Sequence, residues 1–148
     1  VEMNAFECVD GFGHSRGGGI ALLGAERVPR LAGVVCWAPI AYADRWDAAT
    51  RAEWRRAGHF DFVNTRTQQS MRVSVAVLDD NDENRERLDI VAAASRLAAP
   101  VLVIHGGEDM SVPPEEGKLI ASRARNASFV LMEGASHTFG AIHPEPTP

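Results

Sequence analysis

The stretch Gly13-His14-Ser15-Arg16-Gly17 constrains this chain more than any other, because a serine spaced between two glycines sits on a turn too tight for side chains around it. A match of this spacing arises by chance in roughly one chain in twenty of this length, so its weight comes from the residues downstream. One apolar run ends in His105-Gly106-Gly107-Glu108-Asp109 and a second ends in Gly134-Ala135-Ser136-His137. A serine, an acid and a histidine therefore each fall just after a candidate strand.

The apolar pattern predicts a strand over Phe6–Phe12 feeding the turn, although Glu7, Asp10 and Gly11 interrupt it. A helix comes next, through Ile20, Leu22 and Leu23 towards Val28, and Pro29 stops it. Gly17, Gly18 and Gly19 lower its helix propensity, which is consistent with a close approach of helix to strand. Leu31–Ile40 is the next predicted strand, with Val34-Val35-Cys36-Trp37 of the kind buried on both faces. Leu88–Leu97 predicts a helix, Val101–Ile104 a strand, Pro114–Ala124 a helix and Phe129–Met132 the last strand. Strands alternating with helices imply an α/β fold with a mostly parallel sheet flanked by helices.

Residues 41–89 differ, with many charges and few apolar runs, and are expected to form a cap-like insertion within a single domain spanning 1–148. Trp46 and Trp54 are spaced for one helix face. Phe60–Val63 and Met71–Val75 flank the polar stretch Asn64–Ser70 as a small hairpin. The Pro-rich end, His143–Pro148, reads as loop.

With 148 residues, 45% of them hydrophobic, the chain has material for one core. A net charge of −5 and the lack of a Lys/Arg cluster argue against nucleic acid or an anionic membrane and leave a small molecule as the expected partner. Cys8 and Cys36 give no disulfide framework. No secretion signal opens the chain and no apolar run approaches membrane-spanning length, so a cytoplasmic setting is expected. The chain also opens without Met.

In an open parallel sheet, ligands bind beyond the carboxyl ends of the strands, where Ser15, Asp109 and His137 would gather. A serine hydroxyl becomes a useful nucleophile when a base takes its proton; His137 suits that role, with Asp109 to orient it. The backbone N–H of Arg16, at the start of the helix, would face the developing oxyanion. Glu108 is a rival for the acid, and Asp44 or Asp47 an alternative after the second strand. His14 and His105 are expected to hydrogen-bond locally and shape their turns, while His59 and His143 are bystanders. The histidines show no spacing of a helical zinc motif, and the acidic run Asp79–Glu83 lacks the glycine and glutamate of a calcium loop and reads as a solvated helix start. No metal or organic cofactor is expected. The sequon Asn126-Ala127-Ser128 is taken as chance.

Gly13-His14-Ser15-Arg16-Gly17-Gly18, His105-Gly106-Gly107-Glu108-Asp109 with Val112-Pro113, and Gly134-Ala135-Ser136-His137-Thr138-Phe139 together make the chain resemble the carboxyl-terminal portion of an α/β-hydrolase, near the dienelactone-hydrolase and prolyl-oligopeptidase-like branch. The resemblance implies Ser15 as nucleophile, Asp109 as acid, His137 as base and the Arg16 amide as an oxyanion donor. The first branch typically uses cysteine where Ser15 stands, which favours an ester hydrolase acting through an acyl-enzyme. Members of the family carry strands and a helix before such a turn and a helix after the histidine loop, which this sequence lacks. The expectation is thus about half of a complete fold, with an uncovered sheet face and an unpaired edge strand that favour a homo-oligomer. The alternative is a catalytically weak core that acts as a binding or self-associating module.

Overall fold

The computed structural model describes residues 9–28, 30–64 and 67–141. In chain order the elements are β1 (Val9–His14), α1 (Arg16–Ala25), β2 (Leu31–Trp37), α2 (Ala48–Ala57), β3 (His59–Val63), β4 (Ser70–Ser74), α3 (Ala76–Glu83), α4 (Ile90–Arg96), β5 (Val101–Gly106), α5 (Pro114–Arg123) and β6 (Ala127–Met132). They divide into two compact units, one drawn from the chain up to Ala43 and from Asp89–Phe139, the other from Asp44–Leu88 and the stretch from Gly140.

The first unit is an α/β layer built on an all-parallel sheet in the order β1-β2-β5-β6. Register sets His14 beside Trp37, Trp37 beside Ile104, and His105 beside Leu131, so the carboxyl ends of the strands line up along one rim. Along β5 the side chains of Val101, Val103 and His105 are buried while Leu102 and Ile104 are half-buried, the alternation a pleated strand imposes. The buried set meets α1, α4 and α5: Leu22, Val34, Cys36, Ile90, Ala94, Val103 and Ile120 form the core. Each fully buried Leu, Ile or Val contributes about 1.5–3 kcal/mol. Burial also pushes the Cys36 thiol up to about 12, so it packs as a small hydrophobe. Cys8 lies outside the described residues, as do residues 6–8 of the predicted first strand; the described strand ends two residues later than expected, at His14 itself.

Helix boundaries obey local chemistry. Asp89 caps α4 by accepting from the Ala92 N–H, and Pro114 opens α5 with Glu115 and Glu116 in its first turn and Arg123 in its last. The predicted second strand ends early, at Trp37, because Ala38 takes φ 43° and Pro39 comes next. Val34–Trp37 is covered on one face only: Val34 and Cys36 are buried, whereas Trp37 is 38% exposed. Phe12, Val130 and Met132 are also exposed, and among the described residues no helix of this unit packs over them. The expected close approach of helix to strand holds for Gly18, which lies against the Gly13 carbonyl of β1 and against Pro39 just past β2, whereas Gly19 packs on Ile40 and on Ile90 of α4 and Gly17 faces open space.

In the second unit, Asp47 caps α2 by accepting from the Thr50 N–H at 2.7 Å, and left-handed Gly58 (φ 76°) ends it. β3 and β4 form an antiparallel hairpin. Trp46 precedes α2 rather than sharing its face with Trp54; the two rings meet edge to face at 4.9 Å, and Trp54 also packs on Phe60. The acidic run Asp79–Glu83 is the second half of α3, not a helix start, and Arg51 and Arg55 of α2 pair with Asp79 and Asp82. No helix among the described residues is long and apolar enough to cross a membrane.

Candidate active site

β1 delivers the chain into the Ser15 turn, and the turn needs Gly13 without a side chain: a Cβ there would overlap the Gly17 carbonyl, whereas one on Gly17 would meet nothing. Ser15 itself adopts φ 57°, ψ −124°, a conformation that costs a non-glycine residue about 1–3 kcal/mol. Its backbone is pinned against that cost. The Ser15 N–H donates to the Trp37 carbonyl at 2.8 Å, and the Ser15 carbonyl accepts from Gly18 N–H at 3.0 Å and Ile40 N–H at 3.2 Å. The hydroxyl makes no capping bond to α1. Arg16 is the first residue of α1, at the positive end of the helix dipole.

β5 delivers the chain into a second turn, at Asp109, which is 5% exposed. Oδ1 accepts from the backbone N–H groups of Ser111 (2.8 Å) and Val112 (2.9 Å), and Oδ2 accepts from His137 Nδ1 at 2.6 Å. Burial opposes the charged carboxylate, but the Val112 and Ser111 amides and the His137 imidazole outweigh it and hold the group below the usual carboxylate range. Because a carboxylate at Oδ2 accepts, His137 carries its proton on Nδ1, which leaves Nε2 as the basic nitrogen.

His137 lies in the loop after β6, which is tied to the neighbouring turn by the Glu108 N–H donating to the Ala135 carbonyl at 3.0 Å. A third tie comes from the serine turn: His14 Nε2 donates to the His137 carbonyl at 2.8 Å, and the two imidazoles stand 4.6 Å apart, centre to centre. Through His14, the residue next to Ser15 touches the loop of the histidine. Among the described residues no hydrogen bond joins the Ser15 hydroxyl itself to His137. In ligand-free sites such bonds are often long and tighten only around substrate.

The rival acids are placed elsewhere: Asp44 pairs with Arg51 and Asp47 caps α2, both in the second unit, and Glu108 is exposed beside the Asp109 turn. His59 stands 3.5 Å from Asp61, and His143 lies outside the described residues. The expectation that His14 bonds locally is corrected, since its partner lies 123 residues away in sequence. Nothing in the sequence signalled that pairing. His105 does bond nearby, with Nε2 donating to the Val112 carbonyl at 2.9 Å. Among the described residues no group of three or more His, Cys, Asp or Glu is arranged to hold a metal.

No family model matches the chain. Over 60 residues it is 33% identical to the pimeloyl-[acyl-carrier protein] methyl ester esterase of Neisseria meningitidis, a match covering 40% of this chain and 23% of that protein. Among solved structures, mouse alpha/beta hydrolase domain-containing protein 10 superposes with a TM-score of 0.70 at 17% identity, covering 93% of this chain and 57% of that one. The esterase domain of a Rhodothermus marinus protein gives 0.63 at 20% identity, covering 88% and 53%. The chain thus spans little more than half the length of these structures, and its architecture is that of a partial α/β-hydrolase fold.

Proposed function

On an α/β-hydrolase fold with an acid–histidine pair beside a serine turn, we propose that this chain is the catalytic part of a serine esterase. Ser15 Oγ attacks the carbonyl carbon of a small ester, and His137 Nε2 takes the serine proton and passes it to the departing alkoxide. Water then hydrolyses the acyl-enzyme, giving its proton to the same nitrogen and returning Ser15. Asp109 keeps His137 in the Nδ1–H tautomer and stabilises the imidazolium, and the Arg16 amide stabilises the oxyanion. The fold is read as a single domain in which residues 41–89 are an insertion after β2.

The observation that carries this reading is the 2.6 Å bond from His137 Nδ1 to a buried Asp109 whose remaining oxygen is already held by two backbone amides. A bystander histidine has no need of so complete a cradle. The strained Ser15 turn and the esterase relatives support it further.

The test is labelling with a fluorophosphonate probe alongside p-nitrophenyl acetate turnover, for the parent chain and for Ser15→Ala. Labelling should vanish and turnover should fall by roughly 10⁴-fold or more in the variant. Equal slow turnover in both proteins would sink the proposal.

A further inference from the structure

His105 is wholly buried on β5, one turn of chain ahead of Asp109, and the proposed esterase chemistry gives it no part. Its Nε2–H donates to the Val112 carbonyl at 2.9 Å, and the same nitrogen lies 3.4 Å from Asp109 Oδ2, the oxygen that accepts from His137. The backbone of Val112 is therefore held through both of its polar groups: its N–H donates to Asp109 Oδ1 and its C=O accepts from His105. The far edge of the ring rests on α5 at Gly117, where a Cβ would stand 2.5 Å from His105 Nδ1. Among the described residues that nitrogen has no hydrogen-bond partner.

An unpartnered buried nitrogen is a cost that an apolar ring of similar size would not incur. If this position only filled space between β5 and α5, an aromatic hydrocarbon would serve it better. What the imidazole adds is the Nε2–H, directed at the turn that carries the acid. We propose that His105 is a positioning residue, whose N–H locks the Asp109–Val112 turn so that the Asp109 carboxylate stays aimed at His137.

This inference rests on the serine-esterase reading for its kinetic consequence, but not for its structural one. The second can be read in the folded protein without turnover, from the downfield proton resonance of the His137 Nδ1–H held by Asp109.

The experiment compares His105→Phe, which keeps a flat ring and removes the donor, with His105→Gln, whose amide can reach the Val112 carbonyl. In His105→Phe the downfield resonance should move upfield or broaden away. Its kcat on p-nitrophenyl acetate should fall about tenfold or more while KM stays within about twofold. His105→Gln should recover most of both, and the thermal midpoints of the two variants should not follow the loss of kcat. An unchanged resonance and kcat in His105→Phe overturns the proposal, as does a loss that merely tracks the fraction of folded protein. Should His105→Phe fail to fold, Gly117→Ala presses on the same ring from α5, and an undisturbed resonance there also overturns it. If the parent shows no Ser15-dependent turnover, the esterase reading fails by itself, and the resonance alone decides the role of His105.

Discussion

After β1 the chain turns at Ser15 by force, with a serine in a conformation most residues avoid, a glycine where no Cβ fits, and, among the described residues, no bond from its hydroxyl to α1 or to His137. After β5 it turns at Asp109 by satisfaction, with every carboxylate oxygen engaged and the backbone of the turn tied through Val112 to His105. The difference matches the tasks proposed for the two residues. A nucleophile must keep its lone pairs for a substrate, so only its backbone can be held, whereas an orienting acid works by being held at the side chain. Sterics and backbone hydrogen bonds serve the first, side-chain hydrogen bonds the second.

The contrast between the two turns is most vulnerable at the acid. Asp109→Asn keeps the shape of the turn but presents a weaker, neutral partner to His137, and kcat should fall by about 10³- to 10⁴-fold. Steady-state kinetics on p-nitrophenyl acetate measures this, and a loss below tenfold would remove Asp109 from the scheme. The same variant tests the electrostatics. Because the native carboxyl titrates below its unfolded value of about 3.9, its stabilising contribution is complete above that pH and is lost as the pH falls through the lower native value. Acid unfolding followed by circular dichroism should therefore be steeper for the parent than for Asp109→Asn.

At the serine turn the corresponding test is steric. Gly13→Ala should destabilise the fold by about 3 kcal/mol or more, since backbone rather than a flexible side chain blocks the new methyl. Gly17→Ala, with nothing near its site, should stabilise α1 by about 0.5–1 kcal/mol. Urea unfolding of the pair decides it, and equal effects would mean that the turn is not held by crowding at Gly13. The smallest effect concerns the open face that bears Phe12, Trp37, Val130 and Met132. A parallel sheet is ordinarily covered on both sides, and we propose that a second copy of the chain covers this one. Light scattering should then give at least a dimer, and a monodisperse monomer would refute it.

Much of the layer order was legible because apolar runs such as Val101–Ile104 leave little choice but a buried strand, and alternation with helices dictates parallel pairing. The ends of elements were less so. β1 continues to His14 because the turn begins only at the strained serine, and β2 stops at Trp37 because Ala38 adopts a positive φ that its sequence neighbourhood does not announce. Trp46 fell outside its helix because Asp47 caps α2 just after it.

Local residue order is enough to say who reaches the rim: glycines that admit a tight turn, and an acid and a histidine placed directly after strands. Which of them touch is a matter of packing. That His14 reaches the His137 loop across 123 residues, and that His105 lies against Asp109, depends on strand register and on α5 packing at Gly117. Side-chain direction at such points is set by neighbours brought in from elsewhere in the chain, and local spacing carries no information about them.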